Sequence, residues 1–275
     1  MMGEKIYVDG VQIYYEHHGK PLETKMPALI MIHGYLSSCF SFRSLVPRLK
    51  KDYPIFALDL PGFGKSEKSL TFTYSLRNYG QLIVHLMDAL GIHEAVVIGH
   101  SMGGQIALQA ARLDPKRIRK VIGLAAAGYM GPVKRSIVRL SYLPYFHYLL
   151  RLYFYKKDVI QEFVNVTYNK NIINKEMMEG YLEPLKDPAF YRSFVRFIRH
   201  REGDLPSELV RTISQPVLLL WGKEDRIVPV SVGERFAKDL PHAELKIFPD
   251  TGHLLPEERP DEVAEAVRAF LSESK

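Results

Sequence analysis

With 275 residues, 47% of them hydrophobic, the chain carries enough apolar material to bury one sizeable core, as α/β chains of this length commonly do. Its single cysteine excludes an intrachain disulfide, the start MMGEKIY has no apolar signal region, and no apolar run reaches the ~18 residues that span a bilayer; the expectation is a cytoplasmic protein without stable membrane insertion. The net charge of +6 is dispersed among acidic residues, which argues against nucleic acid as a partner and leaves a modest pull on anionic substrates or lipid surfaces.

In chain order, Glu4–Val8 and Val11–Tyr15 flank Asp9-Gly10, a pair suited to the positive φ angles of a two-residue turn, and predict an opening hairpin. His17 and His18 come next without a ligand set at metal spacing and read as a solvated strand end. Pro27–Ile32 reads as a buried strand running into His33-Gly34-Tyr35, where the glycine lets the backbone turn and the N–H of Tyr35 can point at an oxyanion. His33 is expected to brace this loop through backbone hydrogen bonds, and Cys39 to be a packed residue, not a second nucleophile. A helix over 41–51 and a strand over 54–58 lead to DLPGFGKS at 59–66. That turn lacks the G-x-x-x-x-G-K-[ST] spacing of a phosphate loop and reads as structural, with Phe63 near the mouth of a site. Apolar residues at helical spacing predict a helix over 74–90, ended by Gly91.

The stretch AVVIGHSMGG, 95–104, is the one around which the chain is organised. Ala95–Ile98 is short, β-branched and without alternation, as in a parallel strand covered on both faces, and small residues from Met102 onward suit a helix packed close to that sheet. Gly99, Ser101 and Gly103 spell G-x-S-x-G across the junction. In so tight a turn, side chains two positions either side of the serine would collide. Ser101 would then project its hydroxyl at a helix N-terminus, with the N–H of Met102 as the second oxyanion donor. A glycine-rich turn with an incidental serine would share the five-residue pattern, so a base and an acid must come from elsewhere.

After a strand over 120–125, strand–helix alternation stops. The segment 128–209 is aromatic, basic and helix-like, above all in the run from Leu140 to Tyr155, and is expected to form a helical cap dividing the core into 1–127 and 210–275. Tyr145, Phe146, Leu149 and Tyr153 are the cap residues expected to face a groove over the active site. The pattern resumes at 216–221, followed by GKEDRIVP; an acid at a strand's C-terminal end can orient a histidine, and Asp225 is preferred with Glu224 as fallback. A last strand over 243–248 delivers His253, the histidine placed directly after a C-terminal strand on the same sheet edge as Ser101, and a helix begins at Pro260.

Ser101, Asp225 and His253 thus occur in the order serine, acid, histidine, downstream of an oxyanion segment. With HGY at 33–35, DLPGFGKS at 59–66, GHSMGG at 99–104, GKEDRIVP at 222–229 and GH at 252–253, the chain resembles the serine α/β-hydrolases of carboxylesterase or lipase type. The resemblance implies an α/β-hydrolase fold, a mostly parallel central sheet flanked by helices with a helical cap inserted after the sixth strand. It implies Ser101 as nucleophile, His253 as base, Asp225 as its orienting acid, Tyr35 and Met102 as oxyanion donors, a small-molecule ester as substrate, and neither metal nor organic cofactor. A serine at the elbow argues against the dehalogenases and epoxide hydrolases of this fold, which use aspartate there. The meta-cleavage-type carbon–carbon hydrolases share the triad, but Tyr35-Leu36-Ser37-Ser38 and Leu254 depart from their pattern. Leu36 likewise departs from the proline of perhydrolases. Ester hydrolysis is the leading expectation, carbon–carbon or other acyl hydrolysis the alternative, and a ligand receptor retaining the triad the reading from another class.

Overall fold

The computed structural model describes residues 3–24, 26–156 and 159–273. Its strands are β1 (Glu4–Val8), β2 (Val11–Gly19), β3 (Ala28–Ile32), β4 (Pro54–Leu58), β5 (Ala95–His100), β6 (Ile118–Leu124), β7 (Val217–Gly222) and β8 (Ala243–Phe248). They form one sheet in the order β1-β2-β4-β3-β5-β6-β7-β8. β2 runs antiparallel to β1 and β4, and the other neighbouring pairs are parallel. The helices are α1 (Val46–Leu49), α2 (Leu76–Ala89), α3 (Met102–Leu113), α4 (Arg135–Leu140), α5 (Phe146–Lys156), α6 (Val159–Val166), α7 (Lys175–Lys186), α8 (Pro188–His200), α9 (Ser207–Val210), α10 (Val230–Asp239), α11 (Leu255–Glu258) and α12 (Pro260–Ser272).

The unbroken apolar runs of the central strands follow from helices covering both sheet faces. Ile30, Ile32 and Val97 point into a cluster with Leu82, Ile83 and Leu86 of α2 and Ile106 of α3. Their neighbours Leu29, Met31, Val96 and Ile98 point the other way, onto Leu49 of α1 and Val263, Val267 and Phe270 of α12. Each such side chain contributes roughly 1.5–3 kcal/mol by leaving water, so the alternating assignment fixes the register of every central strand.

Two local expectations are corrected. The helix expected over 41–51 is a 3-10 turn (Cys39–Phe42) followed by the short α1. Pro47 explains the break, because a continuous helix would need an N–H at that position and would meet the proline ring. β2 continues past Tyr15 to Gly19 and pairs with β4, so His17 and His18 are half-buried strand residues. His17 stacks on Phe56 at 4.5 Å, and His18 meets Glu16 at 3.1 Å.

Strand order positions the site. The chain steps outward from β3 to β4, then crosses back to place β5 on the other side of β3. The carboxyl ends of β3 and β5 therefore border the crevice where connections diverge, the place at which open α/β sheets bind ligands. The helices from α4 to α9 all lie between β6 and β7.

Candidate active site

Ser101 stands between β5 and α3 with φ 54° and ψ −118°, a left-handed conformation that costs a non-glycine residue energy and is held by its surroundings. The Ser101 carbonyl accepts hydrogen bonds from Gly104 N–H and Ala127 N–H, both at 2.9 Å, and its own N–H donates to the Leu124 carbonyl at 2.9 Å. Gly99 has the role expected of it, since a Cβ there would fall on the Gly103 carbonyl; Gly103 is needed for a different reason, since its Cβ would fall on the Ile32 carbonyl of β3. Ser101 is 8% exposed.

Gly34 brings the His33–Tyr35 segment against the serine, since a Cβ there would lie 3.0 Å from Ser101 Cβ. Among the described residues, neither Tyr35 N–H nor Met102 N–H has a hydrogen-bond partner; that of Met102 is one of the donors a helix start leaves over. His33 braces this segment as expected. Its Nε2 accepts from Leu60 N–H at 3.0 Å, so Nδ1 carries the proton and donates to the Gly34 carbonyl at 2.7 Å. Burial lowers its pKa and keeps the ring neutral.

Asp225 and His253 arrive from adjacent strands, β7 and β8. His253 Nδ1–H donates to Asp225 Oδ2 at 2.7 Å, and Asp225 Oδ1 accepts from Ile227 N–H at 2.8 Å and Val228 N–H at 2.9 Å. The fallback acid, Glu224, is directed elsewhere: its Oε2 accepts from Thr251 N–H at 3.0 Å. His100, which precedes Ser101, draws the histidine loop back over the end of β5. Its Nε2–H donates to the His253 carbonyl at 2.9 Å, with the two rings 4.9 Å apart. Burial, then the neighbouring His253, push the His100 pKa down to about 3, so this ring is a neutral strut. With Nδ1–H committed to Asp225, a neutral His253 has Nε2 available as a base, and the strained serine, two idle N–H donors and the Asp–His pair together can support nucleophilic acyl chemistry.

Glu258 at the end of α11 escaped the sequence reading. Its buried carboxylate accepts from Gly252 N–H at 3.0 Å, Tyr168 N–H at 2.9 Å and Asn169 N–H at 3.0 Å, while His253 N–H donates to the Val166 carbonyl at 2.9 Å. The segment after α6 is thereby fastened to the histidine loop. No periodicity marks a carboxylate for that role.

The aromatic contacts also differ from expectation. Phe146 is buried, but Tyr145, Leu149 and Tyr153 are exposed, because α5 packs on α8 through a single face. The rings that reach Tyr35 come instead from α8, Phe194 at 5.5 Å and Phe197 at 5.7 Å. Phe63, only 1% exposed, lies beneath them against Phe190, Phe197 and His33; it buttresses the loop instead of opening onto a mouth. Cys39 is buried, its thiol pKa raised by desolvation, and its N–H donates to Asp59 Oδ1 at 2.7 Å. A cavity of about 790 Å³ between β2, the 3-10 turn and α7 is lined by neither Ser101 nor His253. Among the described residues no group of three or more His, Cys, Asp or Glu could hold a metal ion.

Fold and site together define an α/β hydrolase. The chain matches the family described as alpha/beta hydrolase fold over residues 27–260 and belongs to it. It is 44% identical over 264 residues to the uncharacterized hydrolase YugF of Bacillus subtilis (strain 168), covering 96% of each chain. Among solved structures it is similar to a meta-cleavage product hydrolase from Pseudomonas fluorescens IP01, with TM-score 0.80, 25% identity, and coverage of 99% of this chain and 98% of that one. A bacterial membrane phospholipase A is similar with TM-score 0.79 and 26% identity over 98% of this chain and 85% of the other.

Proposed function

We propose that the protein is a serine hydrolase that cleaves small carboxylic esters with an apolar acyl or alcohol part. The observation that carries this reading is the Asp225–His253 hydrogen bond at 2.7 Å, on a loop whose His253 carbonyl is tied by His100, the residue before the left-handed Ser101. Ser101 Oγ attacks the ester carbonyl as His253 Nε2 takes its proton, and Asp225 stabilises the imidazolium. The N–H groups of Tyr35 and Met102 bind the oxyanion, and collapse expels the alcohol, protonated by His253. Water then hydrolyses the acyl-enzyme by the same route. No step calls for a metal or organic cofactor. The helices between β6 and β7 act as a cap on this reading, with α8 as its site-facing element, and the free buried Cys39 suits a reducing, cytoplasmic setting.

Similarity to the meta-cleavage product hydrolase favours a second reading, carbon–carbon bond hydrolysis by the same triad. Tyr35, Leu36 and Leu254, which depart from that group's pattern, weigh against it. The test is a panel of p-nitrophenyl esters from acetate to palmitate run beside a meta-cleavage product. Ester turnover that Ser101→Ala lowers at least ~10³-fold supports the first reading. Turnover of the meta-cleavage product alone would replace it with the second.

A further inference from the structure

The helix α5 has apolar residues on every side, and among the described residues it packs mainly through the side that meets α8. Phe146, Leu150 and Phe154 recur every fourth residue and meet the core beneath; the Phe154 ring lies 5.8 Å from Phe194 and 6.2 Å from Tyr191 of α8. Facing away are Tyr148, Leu149, Leu152 and Tyr155, with Tyr148 53%, Leu152 49% and Tyr155 87% exposed, and the preceding turn adds Tyr145 at 73%. A helix with an apolar outward face needs something to cover it.

Charge indicates what that cover is. From Pro115 to Lys157 the sequence contains no Asp or Glu, and Lys134, Arg135, Arg139 and Arg151 stand exposed on α4, at its start and on α5. Tyrosines at an apolar–polar boundary, leucines beside them and basic residues without acidic partners are the composition of a helix lying in a lipid interface. The 11 residues of α5 span only about 16 Å, far short of a bilayer core, and no helix among the described residues is long and apolar enough to cross a membrane. A second copy of the chain fits less well. A two-fold contact through α4 and α5 would bring Lys134, Arg135, Arg139 and Arg151, which have no acidic hydrogen-bond partner among the described residues, toward the same residues of the copy.

We propose that the outward face of α4 and α5 docks this protein reversibly on an anionic lipid surface. This does not rest on the ester reading. The test is co-sedimentation of the full chain with vesicles of phosphatidylglycerol and phosphatidylcholine in equal parts, and with vesicles of phosphatidylcholine alone. Three proteins are compared: wild type, the double variant Arg135→Glu/Arg139→Glu, and the double variant Tyr148→Ser/Leu152→Ser. All four positions are exposed, and the thermal transition of each variant verifies its fold. Wild type is expected to partition at least ~10-fold more onto the anionic vesicles, and less in 0.5 M salt. At about fivefold per basic residue, the charge variant should lose roughly 25-fold or more, and the apolar variant roughly tenfold. Absence of sedimentation, equal binding to both vesicles, or unchanged binding by the variants would overturn the proposal. A concentration-dependent dimer in sedimentation velocity that the same variants abolish, without vesicle binding, would reassign the face to self-association.

Discussion

Replacing Asp225 with asparagine tests the candidate site through one oxygen atom. Asp225 Oδ1 accepts two backbone N–H groups, from Ile227 and Val228, while Oδ2 accepts the proton on His253 Nδ1. The asparagine side chain can satisfy those two donors only with its carbonyl oxygen, so its NH₂ must face His253. The imidazole then offers Nδ1 as acceptor and carries its proton on Nε2, which leaves no base for Ser101. Restoring the working tautomer would set two donors against each other, and reversing the amide would leave the Ile227 and Val228 N–H groups unpaired, at about 1–3 kcal/mol for the buried one on Val228. With the lost stabilisation of the imidazolium, the barrier should rise by about 5 kcal/mol, a fall of roughly 10³- to 10⁴-fold in kcat/KM. The urea midpoint should barely move, because the carbonyl keeps its bonds. Initial rates on p-nitrophenyl butyrate, with Glu224→Gln as control, measure this. Among the described residues the Glu224 carboxylate accepts only from the Thr251 N–H, so its variant should lose less than about tenfold. Retention of more than a tenth of wild-type kcat/KM by Asp225→Asn would refute the assignment.

Glu258→Gln should leave an N–H facing an amide NH₂ at the Gly252 or the Tyr168/Asn169 side of its clamp. Stability should drop by about 1–3 kcal/mol in urea, and kcat should fall more than KM changes as the histidine loop loosens. An unchanged kcat would mean that the loop holds its geometry without the clamp. Stability should also depend on pH through the two buried histidines. His33 and His100 have folded pKa values below the ordinary 6.5, so the unfolded chain binds more protons, and stability is full above about pH 6.5 and lost as pH falls. For His100 the loss continues toward its folded value of about 3, at up to about 1.4 kcal/mol per pH unit. Urea midpoints at pH 7, 6 and 5 should decline in wild type and less steeply in His100→Gln; a constant midpoint would contradict the neutral strut. Gly103→Ala should cost about 3 kcal/mol or more, since its Cβ would fall on the Ile32 carbonyl, and a midpoint near wild type would show that the elbow can relax.

Much of the architecture is legible in the chain because its signals are local. Glycines two positions either side of Ser101 mark the elbow in the sequence: the collision Gly99 avoids is with the Gly103 carbonyl four residues on, whereas the one Gly103 avoids is with the Ile32 carbonyl of β3. The run Ala95–Ile98 declares a strand covered on both faces, and β4, β7 and β8 declare themselves similarly, within a residue or so of where they form. The helix expected over 41–51 fails because apolar spacing takes no account of the missing N–H at Pro47.

The sequence preferred Asp225 to Glu224, but only the tertiary structure shows which of the two meets His253. Two carboxylates in adjacent positions differ only in direction, and the Ile227 and Val228 N–H groups aim the first at His253 while Thr251 holds the second. It decided equally that α8, and not the aromatic run ending at Tyr155, supplies the rings against Tyr35, and that Glu258 fastens the histidine loop. A helix apolar on all sides specifies burial without saying which neighbour receives which face. That choice is made where α5 meets α8, and it sets Phe146 and Phe154 inward and Tyr148 and Leu152 outward.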